Sequence, residues 1–154
     1  MNREKAVKYF KLARYMADLF SKDPITKGGC ILLAPESLHV LSIGYNGMPR
    51  GVLEIDSARW ERPSKYSYVE HAERNSLYNA CRGGVSTDGC IAVTTVFPCC
   101  ECCRALIQSG VKTVVTAEPD YDDAQYGPDF NISSGMLTEA RVDVVLLRKD
   151  EYHS

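Results

Sequence analysis

Apolar residues recur at helical spacing through residues 4–20, with lysine and arginine residues between them. This pattern predicts an amphipathic opening helix. The sequence Ser21-Lys22-Asp23-Pro24 predicts the end of that helix, because the position before a proline disfavours helical backbone angles. Two short apolar runs follow, at residues 30–34 and 38–45, and the turn-forming residues between them favour a β-hairpin.

The rest of the chain alternates between helical and strand-like patterns. Residues 52–66 have no clear period and are interpreted as an irregular excursion. Helices are predicted at residues 69–81, 102–109 and 136–140, and strands at residues 90–96, 111–117 and 142–147. Strands that alternate with helices indicate a layered α/β fold, and the length of 154 residues favours a single domain over residues 1–154.

Composition and charge limit the cellular location and the classes of binding partner that we expect. The formal net charge is -2 and no basic run occurs, which disfavours a protein that binds nucleic acid through its phosphate backbone. No apolar stretch approaches the roughly 20 residues of a membrane span, so no membrane partner is expected. Seven cysteines are present and four of them crowd together near residue 100, unlike a disulfide framework. We therefore expect a cytoplasmic protein in which clustered cysteines bind a metal or take part in catalysis.

Two short segments carry the candidate chemistry, His71-Ala72-Glu73 and Pro98-Cys99-Cys100-Glu101-Cys102. Zinc in proteins is tetrahedral, and His71, Cys99 and Cys102 would supply three ligands while the fourth position stays open for water. Glu73 lies beside the ligand set without belonging to it, so its carboxylate can accept and return protons. The segments fit the H-x-E and P-C-x-x-C signature of zinc enzymes that remove amino groups from nucleobases.

Each segment also has a simpler interpretation. C-x-x-C pairs serve in redox chemistry and in structural zinc sites, which usually have four protein ligands. Cys100 and Cys103 form a second, interleaved pair that is an alternative ligand set, although small buried side chains are the expected role for both. The three remaining cysteines, Cys30, Cys81 and Cys90, lie in strand-like or helical runs and are expected in the core.

At these residues the chain resembles the deoxycytidylate deaminases of the cytidine deaminase-like superfamily. The resemblance covers about residues 6–117, and more loosely the chain up to about residue 147. The matching blocks, in family order, are Ser21-Lys22-Asp23-Pro24, Gly44-Tyr45-Asn46-Gly47-Met48-Pro49-Arg50-Gly51, Tyr68-Val69-Glu70-His71-Ala72-Glu73 and Phe97-Pro98-Cys99.

The resemblance implies a three-layer α/β/α sandwich with a central five-stranded mixed sheet. It also implies that Zn²⁺ is held at the N-termini of two helices. The implied reaction is hydrolysis of dCMP to dUMP and ammonia, which supplies dUMP for thymidylate synthesis.

The resemblance also implies roles for substrate-binding residues. Asn46 would contact the deoxyribose, although an ordinary Asn-Gly turn is an equal alternative. Ser21 and Lys22 would help to bind the phosphate. Tyr121 would close over the substrate, although the sequence around it departs from the family pattern.

Family members are often homohexamers activated by dCTP with Mg²⁺ and inhibited by dTTP. The loop used for this regulation is intact here, so Gly44, Tyr45, Gly47 and Arg50 are candidate effector-binding residues. The same loop is compatible with an unregulated enzyme. Residues 52–66 contain no His or Cys cluster, so no second zinc site is expected there.

Three alternative functions stay open at this point. The chain would deaminate dCTP as well as dCMP, or a base within a nucleic acid, or it would be a non-enzymatic nucleotide sensor that contains zinc. A nucleic-acid substrate calls for a basic groove and stacking aromatic residues, and the sequence shows neither. A structural zinc site has no use for a carboxylate such as that of Glu73, which disfavours the sensor.

Overall fold

A five-stranded sheet with the strand order β2-β1-β3-β4-β5 forms the centre of the computed structural model, which describes residues 1–153. The strands are β1 (Gly29–Leu33), β2 (Val40–Tyr45), β3 (Ile91–Thr94), β4 (Thr113–Ala117) and β5 (Asp143–Leu147). The helices are α1 (Arg3–Phe20), α2 (Lys65–Tyr68), α3 (Ala72–Arg82), α4 (Cys100–Gln108), α5 (Gly127–Glu139) and α6 (Lys149–Tyr152), with a short 3-10 helix at Ser57–Trp60.

The sheet is mixed. Strand β1 pairs antiparallel with β2 and with β3, whereas β3, β4 and β5 pair in parallel. All residues of β1 and β3 are buried, as expected for strands covered on both faces. The parallel half brings the carboxyl ends of β3 and β4 to one edge of the sheet, where α/β folds commonly bind ligands.

Helices cover both faces of the sheet. On one face, α1 and α6 pack over a core that includes Phe10, Leu33 and Val115. On the other face, α3, α4 and α5 enclose a second core that includes Leu32 and Leu106. The three-layer α/β/α sandwich and the five-stranded mixed sheet are therefore confirmed. Within residues 1–153, no helix is both long enough and apolar enough to cross a membrane.

Helix α3 begins at Ala72, three residues later than its sequence pattern predicts. The preceding residues are extended, because Gly47 and Glu70 exchange two backbone hydrogen bonds, with N···O distances of 3.2 and 2.9 Å. This pairing leaves His71 in an extended conformation at the N-cap of α3. It thereby fixes the position from which the His71 side chain projects.

Candidate active site

The side chains of His71, Cys99 and Cys102 meet between the N-termini of α3 and α4. The Nδ1 atom of His71 lies 3.5 Å from the sulfur of Cys99 and 3.5 Å from the sulfur of Cys102. His71 is the N-cap of α3, Cys99 is the N-cap of α4, and Cys102 lies in the first turn of α4. The three ligand atoms all lie within 4.8 Å of one another.

This spacing fits a zinc ion. With Zn–S distances of about 2.3 Å and Zn–N distances of about 2.0–2.1 Å, a tetrahedral site has a sulfur-to-nitrogen edge of about 3.6 Å. The two observed edges of 3.5 Å agree with that value. In the part of the chain that the structure describes, these residues form the one His/Cys/Asp/Glu group that meets the geometry of a metal site, and it has three members. Three ligands leave one coordination position for a reacting molecule.

The two sulfurs and the imidazole are already electrostatically coupled without the metal. The hydrogen bond with Cys102 lowers the pKa of the Cys99 thiol to about 4. The same bond, together with burial, raises the pKa of the Cys102 thiol. The hydrogen bond to Cys99 raises the pKa of the His71 imidazole. Since the metal binds thiolate and neutral imidazole, its binding displaces the remaining protons.

Glu73 lies beside the ligand set at the start of α3. Its side chain is 5% exposed, and its Oε2 atom accepts a hydrogen bond from the Cys102 sulfur at 3.5 Å. Burial raises the pKa of the Glu73 carboxyl. A carboxyl group in this environment can hold a proton and release it again, as a proton-transfer group must.

The guanidinium of Arg74 supports the ligand set from outside. Its Nη1 atom donates to the Cys102 sulfur at 3.8 Å and to Glu101 Oε2 at 2.8 Å, and its Nε atom donates to Glu70 Oε1. Glu70 Oε1 also accepts from the backbone N–H of His71 at 3.1 Å. The Glu70 carboxylate and the Arg74 guanidinium therefore connect two of the three ligand residues.

The side chains of the interleaved pair, Cys100 and Cys103, point away from His71. The sulfur of Cys100 donates to the carbonyl of Asp129 at 3.3 Å, and the sulfur of Cys103 donates to the carbonyl of Ser133 at 3.4 Å. Both sulfurs therefore face α5 rather than His71. Cys30 and Cys90 are buried as expected, whereas the core prediction for Cys81 is wrong, because that residue is exposed near the end of α3.

A cavity leads from the surface to the ligand set. Glu73, His71 and Cys99 line its buried end, and its walls are mainly apolar, with Val69, Phe97 and Phe130 among them. The rings of Phe97 and Phe130 meet edge to face, with 5.6 Å between their centroids. Among the polar and aromatic lining residues, Arg62 and Tyr66 are exposed and mark the open end of the cavity. The others are Thr26, Lys65 and Tyr126.

Comparison with known proteins identifies the family. Residues 3–118 match the family described as the cytidine and deoxycytidylate deaminase zinc-binding region. That span is most of the chain and contains His71, Glu73, Cys99 and Cys102. The chain belongs to this deaminase family. The relationship predicted from the sequence motifs and the zinc-dependent hydrolase class that it implied are confirmed.

Individual relatives agree with this assignment. The deoxycytidylate deaminase of Mus musculus is 34% identical over 123 residues, which are 76% of this chain and 67% of the mouse protein, so the match spans about two thirds of that relative. An uncharacterised deaminase of Aliivibrio fischeri is 34% identical over 147 residues, covering 94% of this chain and 95% of that protein.

A solved structure agrees as well. The apo dCMP deaminase of cyanophage S-TIM5 superposes with a TM-score of 0.73 at 26% identity, covering 96% of this chain and all of that one. The same cyanophage enzyme in complex with dCMP and dUMP superposes with a TM-score of 0.75.

Asn46 of this deaminase occupies a central position. Its Oδ1 atom accepts from the backbone N–H of Ala72 at 3.0 Å, and its Nδ2 atom donates to the carbonyl of Thr26 at 3.0 Å. The side chain is 6% exposed and lines the cavity. It therefore holds the first turn of α3 and also reaches the space where a ligand would bind. The predicted contact with deoxyribose stays a prediction.

The other predicted substrate residues lie outside the cavity lining. Ser21 is buried, and its hydroxyl donates to the carbonyl of Asn46 at 2.8 Å. Lys22 is exposed and forms an ion pair with Glu54. Tyr121 is 43% exposed, and its hydroxyl donates to Ser134 Oγ at 3.5 Å. The structure does not bring these side chains together with the ligand set, and their predicted roles stay predictions.

A buried ion pair stands near the cavity opening. Lys65 Nζ lies 2.7 and 2.9 Å from the two carboxylate oxygens of Asp23, whose side chain is fully buried. Burial raises the pKa of the Asp23 carboxyl, but the Lys65 ammonium and the backbone N–H groups of Thr26 and Ile25 outweigh it, so the pKa lies below its ordinary value.

A second cavity is lined by the loop predicted to bind effectors. Tyr45, Gly47 and Arg50 line it, and Asn46 lines both cavities. Gly44 does not line it and faces α3 instead, where a Cβ atom would lie 2.2 Å from the carbonyl oxygen of Ala72.

Sequence reasoning missed Arg62, Lys65, Tyr66 and Tyr126 at the opening of the substrate cavity. The first three lie within residues 52–66, which have no clear hydrophobic period, and Tyr126 lies in the segment after β4. The one sequence feature that indicates a binding role for this segment is the cluster of cationic and aromatic residues between Arg59 and Tyr68.

Proposed function

We propose that the chain hydrolyses dCMP to dUMP and ammonia, supplying dUMP for thymidylate synthesis. The observation that carries the proposal is a three-ligand His/Cys set with the buried carboxyl of Glu73 at the closed end of one cavity. The deoxycytidylate deaminase relative at 34% identity supports the substrate class. The cyanophage enzyme that binds dCMP and dUMP supports it as well.

Metal binding and proton transfer are assigned to different residues in the proposed reaction. His71 Nδ1 and the sulfurs of Cys99 and Cys102 would hold Zn²⁺, which supplies a Lewis acid that makes water nucleophilic near neutral pH. The Glu73 carboxylate accepts a proton from the attacking water and delivers it to N3 of the cytosine ring. It then takes the remaining proton from the new C4 hydroxyl and transfers it to the amino group, which leaves as ammonia while the C4 carbonyl of dUMP forms.

The apolar walls of the cavity position the cytosine base and exclude water in the proposed reaction. Val69, Phe97 and Phe130 present apolar surface on which a cytosine ring can pack, and they exclude bulk water from the Glu73 carboxyl. A carboxyl group that is shielded from water exchanges protons with the substrate rather than with solvent.

We also propose the finer assignments that the family resemblance implies. Asn46 contacts the deoxyribose, Ser21 and Lys22 assist with the phosphate, and Tyr121 closes over the substrate. The position of Asn46 in the cavity wall supports the first of these.

Regulation is a further part of the proposal. The loop that contains Gly44, Tyr45, Gly47 and Arg50 binds dCTP with Mg²⁺ as an activator and dTTP as an inhibitor. Support comes from the second cavity, in which the cationic side chains of Arg50 and Arg82 can attract a nucleotide. We further propose one deaminase domain over residues 1–154, a homohexamer and a cytoplasmic location.

Ammonia release from a panel of dCMP, dCTP, deoxycytidine, cytidine and a short cytosine-containing oligonucleotide tests the proposed substrate. We expect the highest kcat/KM with dCMP. Preference for the oligonucleotide or for dCTP would assign a different substrate, and absence of turnover from the zinc-loaded protein would contradict an enzyme. Repeating the assay with dCTP and Mg²⁺ or with dTTP tests regulation, and light scattering measures the oligomer.

A further inference from the structure

We infer that Arg62 binds the phosphate of the substrate at the cavity opening and so selects a nucleoside monophosphate over the nucleoside. This inference rests on the proposed function, since it assigns a specificity-determining residue to the same cavity. It differs from the assignment of the phosphate to Lys22.

Lys65 lines the cavity, but its charge is already neutralised. Its ammonium group lies within 2.9 Å of both carboxylate oxygens of Asp23 and donates to Thr26 Oγ1 at 3.4 Å. Two of the three N–H groups of Lys65 thus have a hydrogen-bond acceptor, and the carboxylate of Asp23 balances the charge of the ammonium group. Binding a phosphate would require Lys65 to leave the fully buried carboxylate of Asp23 unpaired, which is unfavourable.

Lys22 is separated from the cavity. It lines the second cavity rather than the first, and its ammonium group is paired with Glu54. Its sequence neighbour Ser21 is buried and does not line the first cavity either, because its hydroxyl donates to the backbone carbonyl of Asn46. A phosphate of a nucleotide whose base lies against Glu73 would therefore meet the side chain of Lys22 only after a rearrangement.

Arg62 has a charge that is available to an anion. Its guanidinium donates to the neutral Gln125 Oε1 at 3.1 Å and to the hydroxyl of Tyr126 at 3.5 Å, and it lies over the ring of Tyr66 at 5.8 Å. Within residues 1–153, Arg62 forms no ion pair with a carboxylate at 4.0 Å or less. It is the cavity-lining cation that can gain a charged partner without losing one.

The neighbours of Arg62 suit phosphate binding. The hydroxyl of Tyr66 is bonded to Gln125 Nε2 at 2.5 Å, so Gln125 connects Tyr66 to Arg62 and holds both at the opening. The planar guanidinium can donate two parallel hydrogen bonds to phosphate oxygens, and the hydroxyls of Tyr66 and Tyr126 can add others. The cavity thus has the carboxyl of Glu73 in its lining and, at its opening, a guanidinium whose hydrogen bonds go to neutral acceptors, as a base with a remote phosphate requires.

The test compares dCMP with deoxycytidine in the wild-type protein, Arg62→Gln and Arg62→Lys. A charge-assisted hydrogen bond contributes enough that its loss should lower kcat/KM for dCMP by about 10- to 100-fold, mainly through KM, in Arg62→Gln. Deoxycytidine turnover should not change. The kcat/KM of Arg62→Lys for dCMP should lie between the values of the wild type and Arg62→Gln. Arg59→Gln is the matched control, because Arg59 belongs to the same excursion, pairs with Asp56 and is not among the residues that line the cavity.

Calorimetric binding of dUMP and deoxyuridine provides a readout independent of turnover. We expect Arg62→Gln to weaken dUMP binding and to leave deoxyuridine binding unchanged. If Arg62→Gln keeps the wild-type preference for the monophosphate, or if Lys22→Gln loses it instead, the inference is wrong while dCMP deamination stands. If the wild-type protein has no preference for dCMP over deoxycytidine, the proposed function fails and this inference fails with it.

Discussion

Each proposed metal ligand of this deaminase occupies the first turn or the cap of a helix. His71 and Cys99 are N-caps, and Cys102 follows within the first turn of α4. Unpaired backbone N–H groups and the positive end of the helix dipole lie at such positions and favour thiolate over thiol. These residues can be recognised in the sequence because each motif is short. Cys99 and Cys102 form the C-x-x-C motif, and His71 begins the H-x-E motif.

Replacing Glu73 with glutamine separates metal binding from catalysis. Glutamine has nearly the same shape but cannot accept a proton, so we expect turnover of dCMP to fall by about 100- to 10,000-fold. Zinc content, measured by mass spectrometry of the purified protein, should match the wild type. Cys102→Ser is the comparison that should lose the metal. Near-normal turnover in Glu73→Gln would rule out the proton-transfer role.

Replacing Arg74 with leucine should weaken metal binding without removing a ligand. The substitution deletes the N–H···S contact to Cys102 and leaves Glu70 and Glu101 without their partner. Loss of such a supporting residue typically costs about 10- to 100-fold in metal affinity. Competition with a chelator measures the change. The exposed Arg104 on α4 provides the control variant Arg104→Leu, and equal zinc affinity in both variants would refute a role for Arg74.

At the scale of elements, the approach of β2 to α3 depends on Gly44. A Cβ atom there would lie 2.2 Å from the carbonyl oxygen of Ala72 and 2.3 Å from the backbone nitrogen of Ser76. These are backbone atoms of α3, so the clash cannot be relieved by a side-chain rotation. The distance between β2 and the helix that follows His71 is thus set by the absence of a side chain.

Gly44→Ala should therefore lower the free energy of unfolding by about 1–3 kcal/mol or more, as overpacked cores do. Gly135→Ala is a matched control within α5, where an added Cβ has no atom within 4 Å. It should raise the free energy of unfolding by about 0.5–1 kcal/mol, because alanine favours helix. Urea unfolding of both variants measures the difference. Equal stability of the two variants would contradict the close approach of β2 to α3.

Helix α5 shows where prediction of elements from the sequence is limited. The sequence pattern predicts a helix over residues 136–140, whereas α5 spans Gly127–Glu139. Residues 131–135 obscure the helical period, because Ile132 is exposed and Ser133 is buried, although Phe130 and Leu137 are buried at helical spacing. Strand positions were found to within about two residues, because β-branched runs bounded by turns are a stronger signal.

The cavity opening was harder to predict for a different reason. Arg62 and Tyr66 meet Gln125 and Tyr126 through contacts that span about 60 residues of sequence. No local period encodes such contacts, since they depend on how two irregular segments pack against each other. That His71, Cys99 and Cys102 meet could thus be predicted from the sequence, and the shape of the cavity beside them could not.

For the molecule as a whole, the Asp23–Lys65 pair makes stability depend on pH. The pKa of Asp23 lies below its ordinary value in the folded chain, so the pair stabilises the fold above the unfolded pKa of about 4. That contribution is lost as the pH falls through the lower folded value. Asp23→Asn leaves the buried Lys65 ammonium unpaired and should cost about 3–5 kcal/mol at neutral pH.

The measurement is the free energy of unfolding of the wild type and of Asp23→Asn from pH 7 to pH 2. We expect their difference to be constant near neutral pH and to shrink below about pH 4. Glu4→Gln, which breaks the exposed pair with Lys8, is the control and should leave stability nearly unchanged, because exposed ion pairs contribute little. A difference independent of pH would show that Asp23 acts by packing rather than by charge.

The pairing of Gly47 with Glu70 has a consequence for communication across the protein. Gly47 belongs to the wall of the second cavity, and Glu70 directly precedes the ligand His71. In the proposed regulation, an effector that displaces this loop would also displace the extended segment that carries His71. By thermodynamic reciprocity, whatever factor an effector imposes on substrate affinity, the substrate imposes on the effector.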